Sequence, residues 1–254
     1  VTTDMGKVYL IGAGPGAADL ITVRGARLLA MADVVLHDAL VEPEMLALAP
    51  QARLVPAGKR CGRHSSAQHF INKRLVDYAR THGVVVRLKG GDPMLFGRAD
   101  EELRACEAAG IEVEVVPGIT AALASAASLK RSLTLRGVAR SVAFATQSRA
   151  ADSAEITAQA SADSLVYYMG RDAAQRIASE LIAHGRAAAT PVAIVEAATT
   201  PRERSVQLTL GDVRDGRAAE WFDAAQPSVL LIGEAFANAQ VSTPALLAQV
   251  LAAA

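Results

Sequence analysis

Three observations predict an α/β fold for this chain. Strand-like and helix-like segments alternate along it. The strand-like runs are short, largely apolar and rich in Val, Ile and Leu. Two of them run directly into glycine turns, GAGPG at 12–16 and GGDP at 90–93. Alternation of this kind marks a mainly parallel sheet with helices laid against it. At 254 residues the chain has room for one large domain or two of ordinary size.

The elements follow in order. KVYLIGAG (7–14) reads as a buried strand ending in glycines. Residues 18–32 carry helical periodicity, with Leu20, Val23, Leu28 and Met31 near one face. DVVLHD (33–38) is a strand, 43–49 a short helix and 53–57 a strand. Residues 66–83 form an apolar-faced helix through Phe70, Ile71, Leu75, Val76 and Ala79, with Ser65 or Ser66 as cap and Gly83 as terminating glycine. VVVRL, a helix at 98–109 closed by Gly110, the strand 111–116 and a small-residue helix at 117–129 complete the first half. The second half has strands at 141–146, 164–170, 191–196, 204–210 and 228–235, and a helix at 173–185. Residues 148–163 read as a loop or weak helix, and LLAQVLAAA as a last helix. The boundary is expected between about 120 and 140, which gives domains 1–130 and 131–254.

Composition excludes several classes of function. Lys+Arg and Asp+Glu balance at 26 each, so no charge excess points to nucleic acid or an anionic membrane. Cys61 and Cys106 have no metal-type spacing, so no metal site and no disulfide framework are expected. No apolar run is long enough to span a bilayer, and VTTDMGK lacks the features of a signal peptide. A cytoplasmic protein is expected.

Several stretches have residues suited to binding or chemistry. GAGPG allows close approach to the backbone, but Ala17-Ala18 stand where a dinucleotide fingerprint wants its third glycine. GGDP lies at another strand end, where open α/β sheets form their ligand crevice. Asp92 either meets a ligand or caps the next turn. Asp38, also at a strand end, could bind a ribose, act as a base or cap a helix. The loop 57–64 groups Lys59, Arg60, Arg63 and His64, as a solvated basic loop or a polyanion site. Arg98 and Glu101 share a helix face. Arg136 and Met169 admit both structural and binding roles, with core packing the default for the methionine.

VYLIGAGPGAADLIT, ADVVLHDALV, GKRCGRHSSAQHFIN, VVRLKGGDPMLFGR and EVVPGIT, in this order, resemble the tetrapyrrole methylase family. The GKR–GRH and GGDP–FGR blocks resemble its uroporphyrinogen III C-methyltransferase branch. YYMG and LIAHGRAAATPVAIVE carry the likeness into the second half. The resemblance implies two α/β domains of the class III methyltransferase type, the first mainly parallel and the second mixed, with the active site in a cleft between them. It implies a homodimer that uses S-adenosylmethionine, and no metal, to methylate uroporphyrinogen III twice. The product is precorrin-2, for sirohaem and cobalamin. By similarity the donor contacts Pro15, Gly90, Gly91, Asp92, Leu95, Thr120, Ala121, Met169 and Ala198. The tetrapyrrole contacts Arg98, Glu101, Arg136 and Met169. Asp38 is the implied proton acceptor and Lys59 the implied proton donor. An aspartate with an ordinary pKa near ~3.9 is a weak base at neutral pH, so for that role burial in the cleft would have to raise it.

The chain departs from that family in its second half. KRSLTLRG (130–137) replaces a GIPLTHRG-like segment, which puts Leu135 where histidine is usual. TQS (146–148) replaces TGH, and EAAT (196–199) replaces ENGT. These departures leave open a copy that binds donor or tetrapyrrole without turnover, or a methylase of another precorrin. A nicotinamide-dependent oxidoreductase is the reading left for GAGPG and Asp38 by themselves.

Overall fold

The structure, a computed structural model, describes residues 5–57, 64–147 and 161–241. Lys59, Arg60 and Arg63 lie outside these residues, as do most of the 148–163 segment and the C-terminal apolar stretch. The chain divides into two compact units, Val1–Thr120 and Ala121–Ala254.

The first unit holds strands β1 (Lys7–Gly12), β2 (Val34–His37), β3 (Arg53–Pro56), β4 (Val84–Lys89) and β5 (Val113–Val116). They form one sheet in the order β3-β2-β4-β1-β5, and every pair is parallel. Its helices are α1 (Val23–Ala30), α2 (Pro43–Leu46), α3 (His64–Ala79) and α4 (Ala99–Ala108). Side chains alternate across the strands, as a pleated strand requires. Val8, Leu10, Val34, Leu36 and Val85 pack with Ile71 and Leu75 of α3 and with Ala99 and Cys106 of α4. Ile11, Val35, Val86 and Leu88 pack on the other face, with Leu29 of α1 and Met45 of α2.

This division of faces fixes a topological switch point. The neighbouring strands β1 and β4 send their next helices to opposite faces, so their exit loops part and leave a crevice at the C-terminal edge. Both glycine turns sit there.

The second unit holds α5 (Ala121–Ser128), β6 (Val142–Thr146), β7 (Ser164–Tyr168), α6 (Ala174–Ala183), β8 (Pro191–Glu196), β9 (Arg204–Thr209), α7 (Leu210–Arg214), α8 (Arg217–Trp221) and β10 (Ser228–Ile232). The sheet order is β6-β7-β10-β8-β9, parallel only between β6 and β7. Helices α6, α7 and α8 cover one face. Helix α5 buries Ala122 and Ala126 on the other face, with Val166, Val195, Leu231 and Phe236. That packing assigns α5 to the second unit, although the sequence reading places it before the 130/131 boundary.

Local chemistry explains the deviations from the expected elements. The helix expected at 18–32 is divided, because Thr22 is extended and its hydroxyl accepts from the Gly25 N–H at 3.1 Å, which starts α1. Helix α3 stops at Ala79, short of Gly83, whose carbonyl accepts from the Lys7 N–H at 2.8 Å. Gly110 does terminate α4. It has φ +69°, and the Ile111 N–H reaches the Cys106 carbonyl at 3.0 Å. Among the described residues, no helix is long and apolar enough to cross a membrane.

Candidate active site

Three strand exits of the first sheet are bound together, two by backbone hydrogen bonds and the third through a side chain. Gly14 and Gly91 exchange two hydrogen bonds, of 2.7 and 3.2 Å, which join the loops after β1 and β4. Both have positive φ, +78° and +69°, a region that favours glycine. The loop after β5 joins them through Asp92, whose Oδ2 accepts from the Gly118 N–H at 2.9 Å while Oδ1 accepts from the Met94 N–H at 2.8 Å. A Cβ on Gly118 would stand 2.3 Å from the Gly91 oxygen and 2.8 Å from the Gly12 Cα. The glycines therefore let three loops touch. Asp92 holds them with its carboxylate.

Gly90 differs. A Cβ there would meet only the Leu40 Cβ, at 3.8 Å. Its backbone is exposed at the crevice edge. Pro15 and Leu95 are half-buried on the neighbouring turns, and Thr120 lies at the end of the third loop. This edge presents main chain and small apolar surface. It fits a ligand recognised through backbone groups, such as the adenosine and amino-acid parts of a sulfonium donor.

Behind the edge is a buried ionic cluster that the sequence reading does not single out. Arg87 and Lys89 of β4 face α4, and Glu102 of α4 meets both, from Oε1 to the Arg87 Nε and from Oε2 to the Lys89 Nζ, each at 2.9 Å. All three are almost fully buried. Gln68 of α3 donates to Glu102 Oε1 at 3.3 Å. The other side of the Arg87 guanidinium pairs with Asp38 at the end of β2. Desolvation, then the adjacent Arg87 cation, lower the Lys89 pKa. The Asp38 and Glu102 carboxylates hold Arg87 charged despite its own desolvation. Asp38 thus has a buried cation as its partner, and its own side chain is 34% exposed. The signal was two cations two residues apart in an apolar strand, which need a buried anion.

Arg98 and Glu101 pair with each other at 2.6 and 2.8 Å, both about half exposed. An exposed pair of this kind is worth about 0.2–1 kcal/mol, so a carboxylate ligand can replace the partner cheaply. Arg98 itself has φ +56° and Phe96 has φ +53°.

The second unit carries the remaining residues, of which Met169 and Ala198 stand at strand exits of its own sheet. Met169 follows β7 with φ +51° and 53% exposure, so it is not a core methionine. Ala198 is buried between Ala197 and Thr199, which both have positive φ. The Thr199 N–H donates to the buried Glu203 carboxylate, which fixes this turn. Such backbone costs about 1–3 kcal/mol per residue and tends to gather at functional loops. Ala121 opens α5, and the Ala122 N–H donates to the Tyr168 hydroxyl at 3.1 Å.

Arg136 is exposed in a tight turn closed by Leu135–Ala139 hydrogen bonds of 2.7 and 2.8 Å. Leu135 is half exposed there. Arg131 is structural. Its Nε donates to the Ala237 carbonyl at 3.0 Å and its guanidinium also reaches the Asn238 carbonyl. Gln147 of the TQS segment accepts from Arg176 at 2.7 Å. Among the described residues, no cluster of three or more His, Cys, Asp or Glu could hold a metal ion.

Comparison with known proteins gives a consistent answer. The family model described as Tetrapyrrole (Corrin/Porphyrin) Methylases matches residues 7–214. A uroporphyrinogen-III C-methyltransferase of Synechocystis sp. is 43% identical over 98% of this chain and 94% of its own length. Siroheme synthase 2 of Aeromonas hydrophila is 43% identical over 92% of this chain. The chain spans only half of that longer relative. Among solved structures, a uroporphyrin-III C-methyl transferase from Thermus thermophilus complexed with S-adenyl homocysteine aligns with TM-score 0.79 and 39% identity. It covers 91% of this chain and 94% of its own.

Proposed function

The chain belongs to the tetrapyrrole methylase family, and we propose that it transfers methyl groups from S-adenosylmethionine to carbons two and seven of uroporphyrinogen III, giving precorrin-2. The observation that carries this reading is the 43% identity, over nearly the full length of both proteins, to a relative named for that reaction. The backbone-lined edge at Gly90 supports a donor recognised by main chain, and the donor product in a related structure supports its identity.

In this reading Pro15, Gly90, Gly91, Asp92, Leu95, Thr120, Ala121, Met169 and Ala198 hold the donor. Asp92 contributes through the loops that it braces. Arg98 and Arg136 bind carboxylates of the acceptor with charge-assisted hydrogen bonds. Glu101, once released from Arg98, orients or receives a pyrrole N–H, and Met169 borders the ring. The electron-rich ring carbon attacks the methyl group. The sulfur–methyl bond breaks, the sulfonium becomes a thioether and the cationic ring loses a proton. Asp38 accepts that proton, which leaves the methylated ring neutral; Lys59 is the proton donor for a tautomeric shift in which one ring position gains a proton as another loses one. The enzyme works in the cytoplasm as a homodimer and feeds sirohaem or cobalamin synthesis.

One feature supports a second reading, a copy that binds without turnover. Leu135 stands in the turn next to Arg136, where the family usually has histidine, and removes a polar contact. Anaerobic incubation with uroporphyrinogen III and S-adenosylmethionine tests both. Acceptor-dependent release of S-adenosylhomocysteine is expected. Donor binding without that release would favour the second reading and sink the first.

A further inference from the structure

Arg87 shares an otherwise apolar strand with Lys89, and burying such charges is weak evidence for a role in stability. Buried ion pairs can often be replaced by well-packed apolar groups without loss. Its fork is occupied in every direction. Nε meets Glu102 at 2.9 Å, one terminal nitrogen meets Asp38, and the other meets the carbonyls of Leu88 at 3.1 Å and Leu36 at 3.4 Å. Glu102 is fixed in turn by Lys89 at 2.9 Å and Gln68 at 3.3 Å. A rigid line of contacts therefore runs from α3 and α4 through Glu102 and Arg87 to Asp38. Asp38 is the only one of the four charged members with solvent access. The Asp38 N–H is also held, by the Leu88 carbonyl at 3.1 Å. With Oδ1 turned inward to Arg87, Oδ2 is the oxygen left to take a proton.

We propose that Arg87 is a positioning residue for the reaction, setting the Asp38 carboxylate in the orientation that proton removal requires; this rests on the reading of Asp38 as proton acceptor. Arginine suits the task because a planar fork contacts two carboxylates at once, whereas an ammonium is a single point charge.

The test compares the unaltered protein with Asp38→Asn, Arg87→Lys and the double variant. The readings are the rate at saturating substrates, KM for uroporphyrinogen III and the dissociation constant of S-adenosylhomocysteine. Arg87→Lys is expected to slow the saturated rate by ~10–100-fold, the order of a misplaced reacting group, with KM and the dissociation constant unchanged. In the Asp38→Asn background it adds no further loss. A loss that multiplies with that of Asp38→Asn, or weakened donor binding, assigns Arg87 a structural role and overturns the proposal. Full turnover of Arg87→Lys alongside a slow Asp38→Asn also overturns it and leaves the reading of Asp38 standing. Full turnover of Asp38→Asn, or no product from the unaltered protein, removes that reading and this inference with it. Should Arg87→Lys fail to fold, the apolar replacement Arg87→Met, Lys89→Met, Glu102→Leu is measured instead. A slow rate with intact donor binding and no added loss in the Asp38→Asn background supports the role, and any other result overturns it.

Discussion

Gly118→Ala and Gly90→Ala separate what the glycines do for folding from what they do for the donor. A Cβ on Gly118 would lie 2.3 Å from the Gly91 oxygen and 2.8 Å from the Gly12 Cα, both backbone atoms. Ordinary contact needs roughly 3.5 Å, so the loops must part by about 1 Å. That displacement loosens the Gly14–Gly91 pair of hydrogen bonds and the Asp92–Gly118 bond. Overpacking costs about 1–3 kcal/mol and each weakened hydrogen bond a further ~0.5–1.5 kcal/mol at most. We expect Gly118→Ala to lose about 2–4 kcal/mol in urea denaturation and to bind S-adenosylhomocysteine poorly. At Gly90 the added methyl meets only the Leu40 Cβ at 3.8 Å, and φ is not positive. Gly90→Ala should therefore keep its stability or gain ~0.4–1 kcal/mol from a stiffer unfolded chain. It should still lose donor affinity in calorimetry, because the methyl projects at the proposed donor edge. Stability loss in Gly90→Ala, or unchanged stability and donor binding in Gly118→Ala, would refute this reasoning.

Three further outcomes are expected. Lys130 holds the left-handed position that ends α5, with φ +51° and hydrogen bonds from Lys130 N–H to Ala127 and from Arg131 N–H to Ala126, both 3.0 Å. Gly110 and Gly185 occupy the equivalent position in α4 and α6, so Lys130→Gly should stabilise the protein by ~0.5–1 kcal/mol in urea denaturation. Glu102→Gln leaves buried cations short of an anion and should cost about 3–5 kcal/mol, whereas the triple apolar replacement described above should stay near neutral; equal losses in the two variants would contradict this. Burial pushes the Cys106 thiol from 9.0 up to about 11, with the nearby Glu102 charge adding to the shift. A raised pKa keeps its stabilisation below pH 9 and loses it as pH climbs towards 11, by about 2–3 kcal/mol. The difference in pH slope between the protein and Cys106→Ala measures this, and identical slopes would exclude it.

The strands were legible because each is a short apolar run bounded by turn residues, and β1, β4 and β8 stand where their sequences placed them. The exit loops were legible too, since glycine pairs at strand ends have few other uses. What was hidden depends on contacts between residues distant in sequence. Arg87 and Lys89 announce a buried anion, but nothing local identifies it as Glu102, fifteen positions from Arg87, or brings in Asp38 at the end of a neighbouring strand. Gly118 reads as an ordinary turn glycine until Gly12 and Gly91 are placed beside it. Gly83 had the spacing of a helix terminator, but its carbonyl pairs with the first strand. The short α7 and α8 escaped because five residues carry too little periodicity; the Thr209–Asp212 capping box is the signal that marks the start of α7.

Product mass, followed over time in an anaerobic mixture of the protein, uroporphyrinogen III and S-adenosylmethionine, tests the proposed activity most directly. Two methyl groups should be gained, the first product appearing and then giving way to the second. An acceptor of unchanged mass, with donor binding confirmed in the same preparation, would contradict it.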